Sequence, residues 1–232
     1  MRGSGFAGGG VGNAPPLRLL VIVAGLLAAA LLPAQSLEDA LARSRFSPEQ
    51  KRAIEEQFRE AELKGIPVSL LLPRVEEGIA KKVPAGRLQE ALRGQAGLLL
   101  EARALLIEIP GGEALLADLA SWARTANLLA GALPAAEVRR LAVLCARRPA
   151  DYRSATSLYL SLVEWGLDRG KAEELLGALL ASKQTGESYP GVMEILMEGR
   201  RQRLAPEELV RRLLQYLPET ATMEELKRRT LR

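Results

Sequence analysis

The chain contains no histidine, one cysteine and few aromatic residues: two tryptophans, four tyrosines and three phenylalanines in 232 residues. Each shortage closes off a class of chemistry. Without histidine there is no Ser-His or Cys-His nucleophile, no imidazole general acid–base and no His-rich zinc site. The usual switch near neutral pH is gone as well. A single cysteine forbids an intrachain disulfide. A transition-metal site would need carboxylates almost alone, and catalysis would rest on Asp, Glu, Lys, Tyr or a Ser-Lys pair. No P-loop, dinucleotide-binding glycine motif, EF-hand or Cys-x-x-Cys motif occurs. The sequence therefore predicts no cofactor and no metal, and it nominates no catalytic, cofactor-binding or metal-ligating residue.

Excess charge of one sign is also missing. Thirty-two Lys and Arg stand against 28 Asp and Glu, a net +4. Arg2 and Arg18 are the only charges before residue 37, so residues 37–232 carry +2. A balance of that size, spread over the chain, lacks the concentrated basic face of a nucleic-acid binder.

Long apolar runs are absent with one exception. Leu19 to Leu32 has no charged or polar side chain, with Arg18 before it and Pro33, then Ala34-Gln35-Ser36, after it. A basic flank, an apolar stretch and a small-residue site in that order predict a secretory signal peptide over residues 1–36. Its parts are a disordered Gly-rich start and a hydrophobic helix at 19–32. The run is shorter than the roughly 20 residues that cross a bilayer. Cleavage is expected after Ser36 or Ala34, and an uncleaved anchor is the alternative. Both place residues 37–232 in the periplasm or outside the cell. No cysteine follows the run, so no lipid anchor is expected.

What is abundant is Leu, Ala and other helix formers, while β-branched residues are sparse and no stretch alternates as a strand would. Residues 37–232 read as an all-α helical-repeat domain of antiparallel hairpins, stacked as a small irregular solenoid or bundle. Ser47-Pro48-Glu49-Gln50 is a capping box, followed by an apolar stripe of Ala53, Ile54, Phe58 and Ala61. Lys64-Gly65-Ile66-Pro67 ends that helix. Pro73 should kink the next helix or begin a new one after a short turn. The longest helix runs from Pro84 to about Ile107 with Leu88, Leu92, Leu99 and Leu106 inward; Gly94 and Gly97 would allow close packing or a kink. Pro110-Gly111-Gly112 is the clearest break and the candidate sub-boundary. Helices follow over Glu113 to about Ala130 (Leu116, Leu119, Trp122 and Leu129 inward), Ala135 to about Arg147, 152–167, 171–182, 192–203 and 206–217. Gln184 to Gly191 reads as a polar loop, and Thr222-Met223-Glu224-Glu225 caps a last short helix. Val138, Leu141, Ala142 and Cys145 share one face, which reads as core packing for the thiol.

One pattern recurs: an apolar residue, often Pro, then apolar residues four to five and eight to nine places on. It starts at Ile66-Pro67, Val83-Pro84, Leu133-Pro134, Gly170 in degenerate form, and Leu204-Ala205-Pro206, spaced 17, 50, 37 and 34 residues. These lie near multiples of one helix plus its turn, as in a helical array. Generic starts of short amphipathic helices would give the same pattern. Glu77-Gly78-Ile79-Ala80-Lys81-Lys82-Val83-Pro84, preceded by Lys64-Gly65-Ile66-Pro67, resembles a motif of uncharacterised exported bacterial all-helical proteins with Gly-Ile/Val-Pro turns. Leu133-Pro134 and Trp165-Gly166-Leu167-Asp168-Arg169-Gly170 follow the same order loosely. The chain departs from that motif at Lys82, where Gly is usual, and in lacking Pro near Gly170. The resemblance implies fold and export, and carries no activity.

Three constellations bear on chemistry. Glu77-Gly78 and Glu198-Gly199 hold equivalent places, and paired carboxylates are the minimum for glycoside hydrolysis; the plainer reading is two solvated helix-end acids. Lys81-Lys82, Arg139-Arg140, Arg200-Arg201, Arg211-Arg212 and Lys227-Arg228-Arg229 are basic runs. Glu207 with Arg211 and Glu208 with Arg212 would pair along a solvated face. Ser154, Ser157 and Ser161 share a helix with Tyr159 but lack a Ser-x-x-Lys spacing. The expectation is an exported, non-enzymatic interaction or structural protein of the bacterial envelope whose partner is another envelope protein. Trp165, Tyr189 and Tyr216 are the first interface candidates if exposed, and no polar machinery is expected in the interior. A carboxylate-dependent wall-glycan hydrolase is the second reading. The third is a binder of anionic lipid or wall polymer, with weak membrane-surface contact through the C-terminal basic set. Oligomeric state is left open.

Overall fold

A computed structural model of the chain describes residues 36–131 and 133–232. The expected leader lies outside the described residues, apart from Ser36. Among the described residues there are twelve α-helices and no strand: α1 Leu37–Ala42, α2 Pro48–Leu63, α3 Leu72–Ala80, α4 Ala85–Ile107, α5 Gly112–Ala117, α6 Leu119–Gly131, α7 Ala135–Cys145, α8 Tyr152–Glu164, α9 Arg169–Ala181, α10 Pro190–Arg201, α11 Pro206–Tyr216 and α12 Met223–Thr230. None of these is long and apolar enough to cross a membrane.

Most helices are short, so how each one ends matters. Four of the ends are a left-handed residue followed by an apolar one. Gly65, Lys82, Gly166 and Arg203 have φ of 78°, 54°, 101° and 64°. The amides of the next residues, Ile66, Val83, Leu167 and Leu204, donate to the carbonyls of Ala61, Gly78, Leu162 and Gly199 at 2.8–3.0 Å. Leu133 donates to Leu128 in the same way at 3.3 Å. This is the six-to-one bond of a Schellman cap, which satisfies a last-turn carbonyl and folds an apolar residue back onto the helix. The recurring apolar-Pro pattern is this corner. Its fourth copy sits at Gly166-Leu167-Asp168 and not at Gly170. Asp168 does there what Pro cannot: its carboxylate accepts from the amides of Gly170 and Lys171. Lys82 and Arg203 hold a conformation that glycine adopts without a Cβ clash, at a cost of about 1–2 kcal/mol each.

The corners bring small residues under the following helix. A Cβ on Gly78 would lie 2.7 Å from Leu88 Cδ1, and one on Gly199 would lie 2.3 Å from Leu209 Cδ2. Gly94 and Gly97 have nothing within 4 Å of such a Cβ, so they serve no close approach, and α4 runs unbroken past both. Pro73 begins α3 after a short 3-10 turn over Val68–Leu70.

Even-numbered helices touch in succession from α2 to α12, and α7 touches α9, which touches α11. Neighbours in sequence join the two rows, as α7 with α8, α8 with α9 and α10 with α11. Two apolar clusters result. One gathers Leu41, Ile54, Phe58, Ile66, Val75, Leu88, Leu92, Leu99 and Trp122. The other runs from Leu105 and Leu106 through Leu141, Cys145, Tyr152, Leu162, Leu176 and Leu196 to Leu213 and Leu226. The division between them passes through α4 and α6, each of which feeds both clusters, and not through the 110–112 turn.

Two elements differ from the sequence expectation. The helix read over Glu113 to about Ala130 is broken at Asp118, whose carboxylate caps α6 by accepting from the amides of Ala120 and Ser121 and from Ser121 Oγ. The break re-phases the turn, so Leu115 is buried while Leu119 faces solvent. Helix α1 was not foreseen. Its signal is Ser36 with Asp39, a capping box at the edge of the expected leader.

Gly199→Ala should cost about 1–3 kcal/mol, because a methyl there must displace buried Leu209. The same change in a Leu209→Ala background should cost much less, the coupling being read from a double-mutant cycle in urea. Gly97→Ala, in open space inside α4, should instead stabilise by about 0.5–1 kcal/mol.

Candidate functional site

The paired glutamates are not brought into a cleft as free acids. Glu77 pairs with Lys81 and Arg74 on its own helix. The hydrogen bond from Lys81, aided by Arg74 and opposed by partial desolvation, holds its carboxyl below the usual range. That is the wrong direction for a general acid at neutral pH. Glu198 is likewise engaged by Arg201 and Gln202. On α11, Glu208 takes both Arg211 and Arg212, and the foreseen Glu207–Arg211 pair is not the one formed. The C-terminal basic set is partly neutralised, since Arg229 bridges Glu219 and Glu225.

Ser154, Ser157 and Ser161 do converge. With Arg153 on α8 and Pro190 and Met193 on α10 they line an open cavity of about 480 Å³. Arg124 reaches over from α6 and donates to Thr156 Oγ1 at 3.0 Å and Ser157 Oγ at 3.2 Å. Its burial lowers the guanidinium's pKa. No acid and no lysine lines the cavity, so these hydroxyls have no base to activate them.

Of the three aromatic interface candidates, Trp165 and Tyr216 are half-buried against the second apolar cluster. Tyr189 is fully buried, which removes it as an interface residue. The segment read as a polar loop tightens into a 3-10 turn over Gly186–Ser188 and carries Tyr189 inward. Its hydroxyl there donates to Asp151 Oδ2 at 3.3 Å.

The interior also holds polar groups that the sequence reading did not foresee. Asp151 pairs with Arg148 at 2.6 Å and accepts from the Gly186 amide at 2.9 Å. Arg148 in turn donates to the carbonyls of Leu180, Ser182 and Gln184, closing the end of α9. A second centre surrounds Glu137 in the first turn of α7, where the helix dipole favours an anion. Tyr159 donates to Glu137 Oε1 at 2.6 Å, and Arg169 binds the other oxygen. The expectation of an interior free of polar machinery is thus corrected. No local pattern announces the burial of Glu137, Asp151 and Tyr159, because the bonds from Tyr159, Arg169 and Tyr189 span 22 to 38 residues. Both centres are fully paired and act as fasteners between connectors. Among the described residues no group of three His, Cys, Asp or Glu side chains comes together as a metal site.

A second open cavity, of about 430 Å³, lies at one end of the first cluster. Phe46, Ile79, Val83 and Pro84 supply its apolar walls, and Arg43, Arg45 and Lys82 its cations. Gln50 contributes an amide whose oxygen is already used by the Ser47 amide, leaving the NH₂ as donor. No carboxylate lines this cavity. The walls come from the α1–α2 connector, α3 and the Lys82 corner, so the same corner that closes α3 also places a lysine here. Lys82 alone of these had a visible signal, as a lysine in the place of a turn glycine.

Burial pushes the Cys145 thiol from 9.0 to about 12, with Asp151 adding to it, and pushes Tyr152 up to about 12. Tyr159 and Tyr189 are raised in the same way, first by burial and then by the carboxylates they face. Between pH 9 and 12 the unfolded chain therefore binds fewer protons than the folded one, and stability falls as pH rises. The loss should reach about 1.4 kcal/mol per pH unit for each such group. Urea midpoints from pH 7 to 11 should stay level to about pH 9 and then drop, and Cys145→Ala should flatten the part between about pH 9 and 10. Tyr159→Phe should cost about 1.5–3 kcal/mol at pH 7, because it takes a donor from a buried carboxylate. Arg169→Ala should cost a similar amount although that side chain is 50% exposed, because it strips the buried Glu137 carboxylate of its paired cation.

Comparison with protein families, curated proteins and solved structures finds no match to this chain.

Proposed function

We propose that the chain is an exported, non-enzymatic protein of the bacterial cell envelope, a short solenoid of antiparallel helical hairpins that works by binding another envelope component. The observation that carries this reading is how the polar interior is used. The buried acids, tyrosines and arginines are spent on one another and on helix-end carbonyls. Such pairing holds elements in place and leaves no poised acid or base for turnover. The alternation of contacts between even-numbered and odd-numbered helices supports the hairpin stack. Export rests on the apolar run and its flanks.

The wall-hydrolase reading has less support, because Glu77 and Glu198 are each tied to neighbouring cations. The anionic-binder reading has a specific observation in its favour, the cavity lined by Arg43, Arg45 and Lys82 without an acid.

The two cleavage positions differ in consequence. A cut after Ala34 keeps Ser36 as the cap of α1, whereas a cut after Ser36 removes the cap and places a new ammonium at the helix N-terminus. That is unfavourable by about 1 kcal/mol from the lost cap, with the dipole adding to it. Expression of the full chain in a bacterial host, with fractionation and intact mass, should find the protein outside the cytoplasm and shortened by the leader. Incubated with purified wall sacculi, it should release no more soluble glycan than a Glu77→Gln, Glu198→Gln double variant. Full-length chain retained in the cytoplasm would overturn export, and glycan release lost in the double variant would restore the hydrolase.

A further inference from the structure

We infer that the cavity between the α1–α2 connector and the Lys82 corner binds an anionic amphiphile, a single alkyl chain ending in a carboxylate or phosphate. The site goes beyond the reading above and does not depend on the compartment.

Two halves of the cavity carry the inference. Phe46, Ile79 and Val83 give a wall that rewards an apolar body by removing it from water. Arg45 and Lys82 form ion pairs with no carboxylate among the described residues, and both line the same space. Pro84 caps α4 without a side-chain acceptor, so the positive end of a 23-residue helix opens at the same wall. A head group without a tail would leave the apolar wall wet. A tail without a charge would leave the cations unused. The volume of about 430 Å³ suits a small ligand. An extended peptide would need a strand edge to pair with, and there is no strand among the described residues.

Lys82 supplies a second line of argument. It stands at φ 54°, where glycine would cost less, and the corners at Gly65 and Gly166 use glycine. A residue held in a costly conformation beside a cavity is a reason to look for function there. Arg203 is strained in the same way but lines none of the described cavities, which makes it the internal control.

The test is a titration of the purified protein with dansyl-undecanoate, followed by fluorescence and checked by calorimetry with dodecanoate. Dodecanoate and dodecyl phosphate should displace the probe at concentrations at least about tenfold below dodecanol, a difference of about 1.4 kcal/mol. Acetate and inorganic phosphate should not displace it. Lys82→Gly should weaken dodecanoate about five- to tenfold while keeping or raising Tm, because it relieves the left-handed residue. Arg203→Gly should leave affinity unchanged. A merely structural lysine would show the rise in Tm without the loss of binding. The inference is overturned by any of five results: no saturable binding of dodecanoate, equal binding of dodecanol, displacement by phosphate alone, preference for an acidic peptide or for anionic vesicles over the monomeric amphiphile, or unchanged affinity in Lys82→Gly.

Discussion

Every helix leaves its last carbonyls without partners, and the twelve helices among the described residues, most of them short, multiply that demand. The fold is organised around meeting it. Five corners answer with a backbone amide turned back onto the preceding helix. Elsewhere side chains reach across: Arg103 donates to the Lys64 carbonyl, Arg148 to three carbonyls at the end of α9, and Arg212 to Thr230. Arginine suits this role because its planar fork presents several donors at once and stays charged. The cation also complements the negative end of the helix. Arg148 is thus both a cap and one side of the Asp151 pair, so the closing of α9 and the burial of Asp151 stand or fall together.

The same constraint explains how charge came to be buried. A carboxylate below the surface costs several kcal/mol unless paired and hydrogen-bonded. Glu137 meets that requirement with a tyrosine, an arginine and its place at a helix N-terminus. Asp151 meets it with an arginine, a backbone amide and a tyrosine. Each centre joins segments far apart in sequence, and each therefore fixes the register of neighbouring helices more sharply than leucine contacts alone. Apolar side chains tolerate sliding, but a charged fork aimed at a carboxylate does not.

Helix content, most of the inward-facing leucines and the corner pattern could be read from the chain because they are local. Periodicity reports which face of a helix is apolar, and Gly-apolar-Pro reports a cap, without reference to anything distant. Two local signals were nevertheless passed over. Asp118 with Ser121 is a helix cap hidden within a stretch that reads as one helix, and Ser36 with Asp39 is one at the edge of the expected leader. Tyr189 and Glu137 could not be placed by any local rule, since their neighbours make a polar loop and a charged helix face. Their burial follows from Asp151 and Tyr159, and nothing in the sequence announces those pairings. The cavity at Lys82 falls between these cases. The odd lysine in a glycine position was visible, while Phe46 and Arg45 arrive from a connector brought to the Lys82 corner by the packing of α1 on α3.

Helix α4 gives these parts a common frame. At 1.5 Å per residue its 23 residues span about 35 Å. Its first half buries Leu88, Leu92 and Leu99 in one cluster, and its last turns bury Leu105 and Leu106 in the other. Helix α6 does the same in parallel through Trp122 and Leu128. A stack whose units touched only their neighbours would unfold piecemeal, because its stability would be a sum of local parts. Two helices that each belong to both clusters work against that. The cavity opens at the N-terminal end of α4, and the Glu137 and Asp151 centres lie in the cluster fed by its C-terminal end. Loosening either cluster must therefore disturb the helix that forms the cavity's edge, so the shape of the cavity depends on both clusters as well as on Phe46, Ile79 and Val83 packed against the first.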